Sequence, residues 1–268
     1  MPTTVPSASQ WGSPNAKKRA LLVHGMNSSS HTFHRVASAL AAKGQLFFVR
    51  ILLDHGAHIY IGYLVIAPNL FGHASRMPGS DFRVQTLADD LLPYFEAAEY
   101  DIVIGHSMGG AVVLSLLKYL PKTRHTSVVL VDCAVELTAE QRRARFSSGV
   151  GDNMDRTVED YMSLNPLWTR EDAIWRVLGI QIGRATNPLD HMDGNVPWSW
   201  LHLISDKPAT ATLTVLAADP RLNDSCKVEA IAKYKDVRTV IVPNASHWIQ
   251  YEFPEVIVEE ALRSIEGQ

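Results

Sequence analysis

The stretch DIVIGHSMGGAVVLSLLKYL, residues 101–120, decides the fold. Its first part, Asp101 to Gly105, is a short apolar run rich in β-branched residues, the pattern of a buried strand. From Gly109 to Leu120 apolar residues recur at helical spacing until Pro121 stops them. Between the two lies Gly105-His106-Ser107-Met108-Gly109, followed by Gly110. At ordinary glycine abundance a Gly-x-Ser-x-Gly arises by chance in roughly one chain in ten of this length, so the motif alone decides little. A strand that ends at the serine and a helix that starts just after it decide more, because that is the context of a nucleophile carried on a sharp turn. The turn holds its backbone in a strained conformation and needs neighbours without bulk, which Gly105, Gly109 and Gly110 supply. The helix N-terminus directs free N–H groups at the same place and favours developing negative charge there. Ser107 is the candidate nucleophile.

Outward from this unit the chain alternates strands and helices. Arg19 to Val23 reads as a buried strand running into His24-Gly25, His34 to Lys43 as a helix, and Tyr63 to Ala67 as a strand ended by Pro68-Asn69. Further strands are expected at Ser127 to Val131, Thr212 to Ala217 and Arg238 to Val242, and a last helix from Pro254 to Ile265 with proline in its first turn. Such alternation predicts an α/β fold with a mainly parallel sheet flanked by helices.

Three regions depart from the pattern. Residues 1–18 are polar and Pro/Ser-rich and read as a loose N-terminal tail. Residues 45–62, QLFFVRILLDHGAHIYIG, interrupt a short helix-to-strand connection; they read as an atypical insertion, either an extra strand or hairpin at the sheet edge or a translated unspliced segment. Residues 133–208 lose the alternation and hold Trp168, Trp175, Trp198, Trp200, Met154, Met162 and Met192. They read as an inserted helical cap whose tryptophans either build its own core or face an apolar pocket. The core is thus expected in two parts, 19–132 and 209–268.

Composition narrows the functional classes. A net charge of −3 gives no basic surplus for nucleic acid. Cys133 and Cys226 are too few for a disulfide scaffold and suit a reducing compartment. No apolar run reaches a membrane span and no secretory leader precedes the first strand, so a cytoplasmic location is expected. No His/Cys/Asp cluster has metal-ligand spacing, and neither metal nor organic cofactor is called for.

The ordered set His24-Gly25, Asn69-Leu70-Phe71-Gly72-His73, Gly105-His106-Ser107-Met108-Gly109 and Ser246-His247 resembles the α/β-hydrolase superfamily across nearly all of the chain after residue 18. The resemblance implies a base at His247, which lies between the last strand and the last helix, and an oxyanion hole built from the backbone N–H groups of Met26 and Met108. It places the acid after a late strand, and Asp219 is chosen because it keeps the order serine, acid, histidine. Asp132, at the end of the strand Ser127 to Val131, and Asp224 stay open as alternatives. His24, His106, Trp168, Trp198 and Trp248 are candidate substrate-binding residues; for His24, His106 and His73 the family motifs favour shaping of loops or pockets. Two departures stand out: the loop after Pro68 lacks the family's usual Asp-x-x-Gly-x-Gly, and residues 1–18 are short for a leading hairpin, which predicts a minimal sheet.

The expected function is hydrolysis of a small carboxylic ester with an apolar or aromatic acyl group, through an acyl-enzyme on Ser107. Carbon–carbon bond hydrolase, lactonase and hydroxynitrile lyase activities use the same site, and a non-catalytic small-molecule receptor is the rival of another class. A serine nucleophile argues against dehalogenase and epoxide hydrolase chemistry.

Overall fold

A computed structural model describes residues 8–43, 62–76, 81–147, 155–182, 194–223 and 225–266. The inserted stretch 45–61, Met154, Met192 and Asp224 fall outside the described residues. Seven strands form one sheet in the order β1-β3-β2-β4-β5-β8-β9. They are β1 (Ala8–Trp11), β2 (Lys18–Val23), β3 (Tyr63–Pro68), β4 (Ile102–His106), β5 (Thr126–Val131), β8 (Ala211–Ala217) and β9 (Val237–Ile241). All neighbours are parallel except β1, which runs antiparallel to β3. Residues 8–11, read from sequence as part of a loose tail, are therefore an edge strand of the sheet. Their sequence, Ala-Ser-Gln-Trp, has the mixed polarity an edge tolerates and so gives little signal, while the Ser9 hydroxyl lies 2.8 Å from that of Ser30 and ties the edge inward.

The two-residue period of the central strands divides the core. Leu21, Val23, Val103, Val128, Leu130, Leu213 and Val215 face one side and pack with α2 (Val84–Ala97) and α3 (Met108–Leu116). Ala20, Leu22, Ile102, Ile104, Val129, Val131 and Leu216 face the other, with α1 (His34–Ala42) and the C-terminal helix α9 (Pro254–Glu266). β4 and β5 are buried throughout, as parallel strands covered on both faces must be.

Between β5 and β8 lie β6 (Glu136–Leu137), α4 (Ala139–Ser147), α5 (Val158–Leu164), α6 (Arg170–Ile182) and β7 (Trp198–Ser199). β6 and β7 pair antiparallel, closing the inserted helices at their base with a ribbon that the sequence pattern did not reveal. After β8 come two single-turn helices, α7 (Val228–Ile231) and α8 (Ile249–Glu252), on either side of β9. The segment flanking residues 45–61 is closed in space: a Cβ on Gly62 would lie 3.4 Å from the Lys43 carbonyl oxygen. Among the described residues no helix is long and apolar enough to cross a membrane, and Cys133 and Cys226 are buried and not joined in a disulfide.

Register aligns the carboxyl ends of the middle strands. Val23 pairs with Gly105, His106 with Val131, and Val131 with Leu216. The loops beginning at His24, Ser107, Asp132 and Ala218 consequently leave the sheet side by side, where open parallel sheets place their ligand sites.

Candidate active site

Ser107 joins β4 to α3 with φ 53° and ψ −124°, a conformation an L residue adopts only under constraint. The constraint is visible in three contacts. A Cβ on Gly109 would collide with the Val23 and His24 carbonyl oxygens, one on Gly105 would sit 2.5 Å from the Gly109 carbonyl oxygen, and one on Gly110 would sit 2.7 Å from the Cys133 thiol sulfur. The Ser107 amide donates to the Val131 carbonyl at 2.9 Å, anchoring the turn to β5.

Over this turn passes the loop that follows β2. A Cβ on Gly25 would lie 2.9 Å from Ser107 Cβ, so glycine permits the close approach of this loop to the serine, with Met26 the next residue along. Met108 opens α3, where the first N–H groups of a helix have no acceptor within it. His24, fully buried, holds the loop: Nδ1–H donates to the Gly25 carbonyl at 2.8 Å and Nε2 accepts from the Leu70 amide at 3.0 Å. Burial first, then the adjacent His73, pushes its pKa down to about 3. With both nitrogens committed to backbone, His24 ties this loop to the one that follows β3. His73, whose Nδ1 donates to the Phe71 carbonyl at 2.8 Å, is likewise neutral, its pKa pushed down to about 4 by burial.

His247 follows β9, and its Nδ1 lies 2.5 Å from Asp132 Oδ2. Asp132 also accepts from the Ala218 amide at 3.0 Å and from Asn223 Nδ2 at 2.5 Å, and its φ of 42° turns the chain sharply at the end of β5. The carboxylate is fully buried, and both of its oxygens accept hydrogen bonds. Asp219, the sequence-based choice of acid, is engaged elsewhere. Its carboxylate accepts from Arg221 at 2.9 and 2.5 Å and from the Asn244 amide at 2.9 Å, and the Arg221 guanidinium holds it far below the usual carboxylate range. The carboxylate at His247 is thus that of Asp132. Both aspartates end strands, and only the packing of the 243–248 loop over β5 distinguishes them.

The other sequence candidates separate. His106 Nε2–H donates to the His247 carbonyl at 2.9 Å, and its ring centroid is 4.7 Å from that of His247. Burial, reinforced by His247, keeps it neutral, its pKa well below that of free histidine; it is buried and supports the loop bearing His247. Trp198 is buried on the core side, with Nε1–H on the Ala134 carbonyl at 2.7 Å and its ring edge-on to Trp200 at 4.7 Å. It anchors the inserted segment to the sheet. Trp168 is buried among Tyr161, Tyr251 and Trp248, and Trp175 stacks on His31 at 3.9 Å. Trp248, half-buried and 5.5 Å from the His247 ring, is the one of these tryptophans beside the candidate base. Sequence reading missed Asn223, Glu252 and Arg176. Glu252 latches the loop by accepting from the Ser246 amide and hydroxyl, each at 2.6 Å. Arg176 carried a usable signal, since positions 172, 173, 176, 179 and 180 form one buried helical face.

The profile of the alpha/beta hydrolase family matches residues 20–260. The chain belongs to the alpha/beta hydrolase family. Solved structures of this hydrolase's fold include the thioesterase domain from the curacin biosynthetic pathway, at 16% identity over 95% of this chain and 93% of that one with a TM-score of 0.68. E-2-(acetamidomethylene)succinate hydrolase superposes at TM-score 0.69, with 19% identity and coverage of 97% and 94%. The enol-lactonase from Burkholderia xenovorans does so at 0.67, with 14% identity and coverage of 97% and 96%. At these identities the likeness is one of fold. No curated protein sequence matches the hydrolase.

Proposed function

We propose that the protein is a serine acyl hydrolase in which Ser107 is the nucleophile, His247 the general base and Asp132 the acid that orients it. The observation that carries the reading is the His247 to Asp132 hydrogen bond of 2.5 Å, formed at the strand ends beside the strained Ser107 turn. An ionised carboxylate only accepts, so Nδ1 carries the imidazole proton and Nε2 is left as the basic nitrogen. His247 Nε2 takes the hydroxyl proton as Ser107 Oγ attacks an acyl carbonyl, and the Met26 and Met108 N–H groups receive the oxyanion. Collapse expels the leaving group, protonated by His247, and leaves an acyl-enzyme. Water, deprotonated by His247, then releases the acid and restores Ser107.

A carboxylic ester with an uncharged apolar or aromatic acyl group is the proposed substrate, because Trp248 stands beside the base with Trp168 edge-on behind it. By their names a thioesterase and an enol-lactonase share the fold, which supports acyl chemistry by analogy only. The test is a fluorophosphonate probe with mass-spectrometric mapping, then a panel of p-nitrophenyl esters. Expected are an adduct on Ser107, loss of turnover by at least about 10³-fold in Ser107→Ala with unchanged melting temperature, and slower hydrolysis of a dicarboxylate monoester than of its apolar counterpart. An adduct on another serine, or near-normal turnover in Ser107→Ala, refutes the assignment.

A further inference from the structure

One helix of the inserted segment touches both halves of the proposed machinery. On α6, Asp172, Arg176 and Gly179 occupy a single buried face. Asp172 Oδ1 accepts from His34 Nε2 at 2.7 Å. Gly179 lies against the loop after β2, where a Cβ would come within 3.3 Å of Ser28 backbone atoms. Between them Arg176, 2% exposed, donates through Nη1 to the carbonyl of Asn27 and lays its guanidinium over the Trp248 ring, 4.2 Å from the centroid.

These two contacts reach the two loops that must keep register for acyl transfer. Asn27, with φ 52°, directly follows Met26, so a fixed carbonyl there fixes the turn that aims the Met26 amide. Trp248 directly follows His247, and its own amide donates to the Ser246 hydroxyl at 3.2 Å. A guanidinium suits this position because it is planar: it donates in its own plane and stacks through its face at once, whereas an ammonium is a point charge that cannot do both. Burial pushes the Arg176 pKa down to about 9, which leaves the group charged at neutral pH.

We propose that Arg176 is a positioning residue that clamps the oxyanion loop and the histidine loop in register, so that the cap helix α6 completes the active site of the core. The proposal rests on the serine acyl hydrolase reading. It acts through loop geometry and not through contact with substrate, so its signature is a loss of kcat at each competent site with KM little changed.

The experiment compares wild type, Arg176→Met, Arg176→Lys and Trp248→Leu, with active sites titrated by fluorophosphonate and turnover of p-nitrophenyl butyrate expressed per titrated site. A displacement of about 1 Å costs on the order of 10²-fold, so Arg176→Met should lose about 10²-fold in kcat with KM within threefold. Arg176→Lys should recover part of that loss, remaining about 10-fold below wild type because it restores the donor and charge without the planar stack. A merely structural role would lower melting temperature and the titrated fraction yet leave kcat per site intact. That result in Arg176→Met overturns the proposal. If Arg176→Met does not fold, kcat per site within threefold of wild type in both Arg176→Lys and Trp248→Leu overturns it instead. Failure of wild type to label at Ser107 refutes the acyl hydrolase reading, and this proposal with it, whereas a labelled, active wild type isolates the role of Arg176.

Discussion

Replacing Asp132 by asparagine should cost this hydrolase about 10⁴ in kcat, about 5 kcal/mol of transition-state stabilisation. The magnitude follows from what the carboxylate touches. Asp132 accepts from His247 Nδ1, from the Ala218 amide and from Asn223 Nδ2. An asparagine can keep the Ala218 bond only by presenting its oxygen there, which turns its NH₂ toward His247 and Asn223. His247 must then accept at Nδ1, so its proton moves to Nε2 and the base no longer has a lone pair for the serine. The Asn223 amide meets a second donor, an additional buried mismatch. Asp219→Asn provides the contrast, since its buried carboxylate serves Arg221, a largely exposed side chain, and the turn at Asn244, and does not touch His247; with one partner in water the pair contributes little, and turnover should stay within about threefold. The assay is burst kinetics with p-nitrophenyl butyrate, normalised to fluorophosphonate-titrated sites, with melting temperatures recorded for each variant. A loss of 10³-fold or more in Asp219→Asn beside near-normal Asp132→Asn would refute the reasoning and return the acid to the position after β8.

Two further outcomes are expected. His24 and His73 have folded pKa values near 3 and 4, below the 6.5 of a free histidine; the unfolded chain therefore binds their protons first, and stability should fall as pH drops from about 6.5, by about 2 kcal/mol for each group at pH 5. Urea unfolding at pH 7.5 and at pH 5 measures this above the carboxylate range, and a slope unchanged in His73→Gln would contradict it. Deletion of residues 45–62 should leave a folded, active enzyme, because Lys43 and Gly62 already meet in space; equal or higher soluble yield with retained ester turnover is the expected result, and an unfolded product would show the segment to be part of the core.

The sequence by itself determined the elements whose evidence is local. A buried strand, three glycines and a helix announce Ser107, because only such residues let the turn close. The alternation of apolar runs with helical spacing announces the parallel sheet, and the position of His247 between the last strand and last helix was readable with the family pattern in view. The edge strand Ala8–Trp11 was not, since its polarity carries no period and its partner β3 lies some fifty residues away in sequence. Tertiary structure alone shows that Asp132, and not Asp219, is the carboxylate that meets His247. Each follows a strand and precedes a loop, and the choice depends on where the loop bearing His247 crosses the strand ends, which no local pattern encodes. The same holds for the cap tryptophans: their abundance allowed either a core of the cap's own or an apolar pocket, and packing turns Trp198 toward the sheet and Trp168 toward Tyr251, while Trp248, outside the cap, lies beside His247. Hydrophobic side chains declare in sequence that they will be buried; against what they are buried is settled by contacts between elements far apart in the chain.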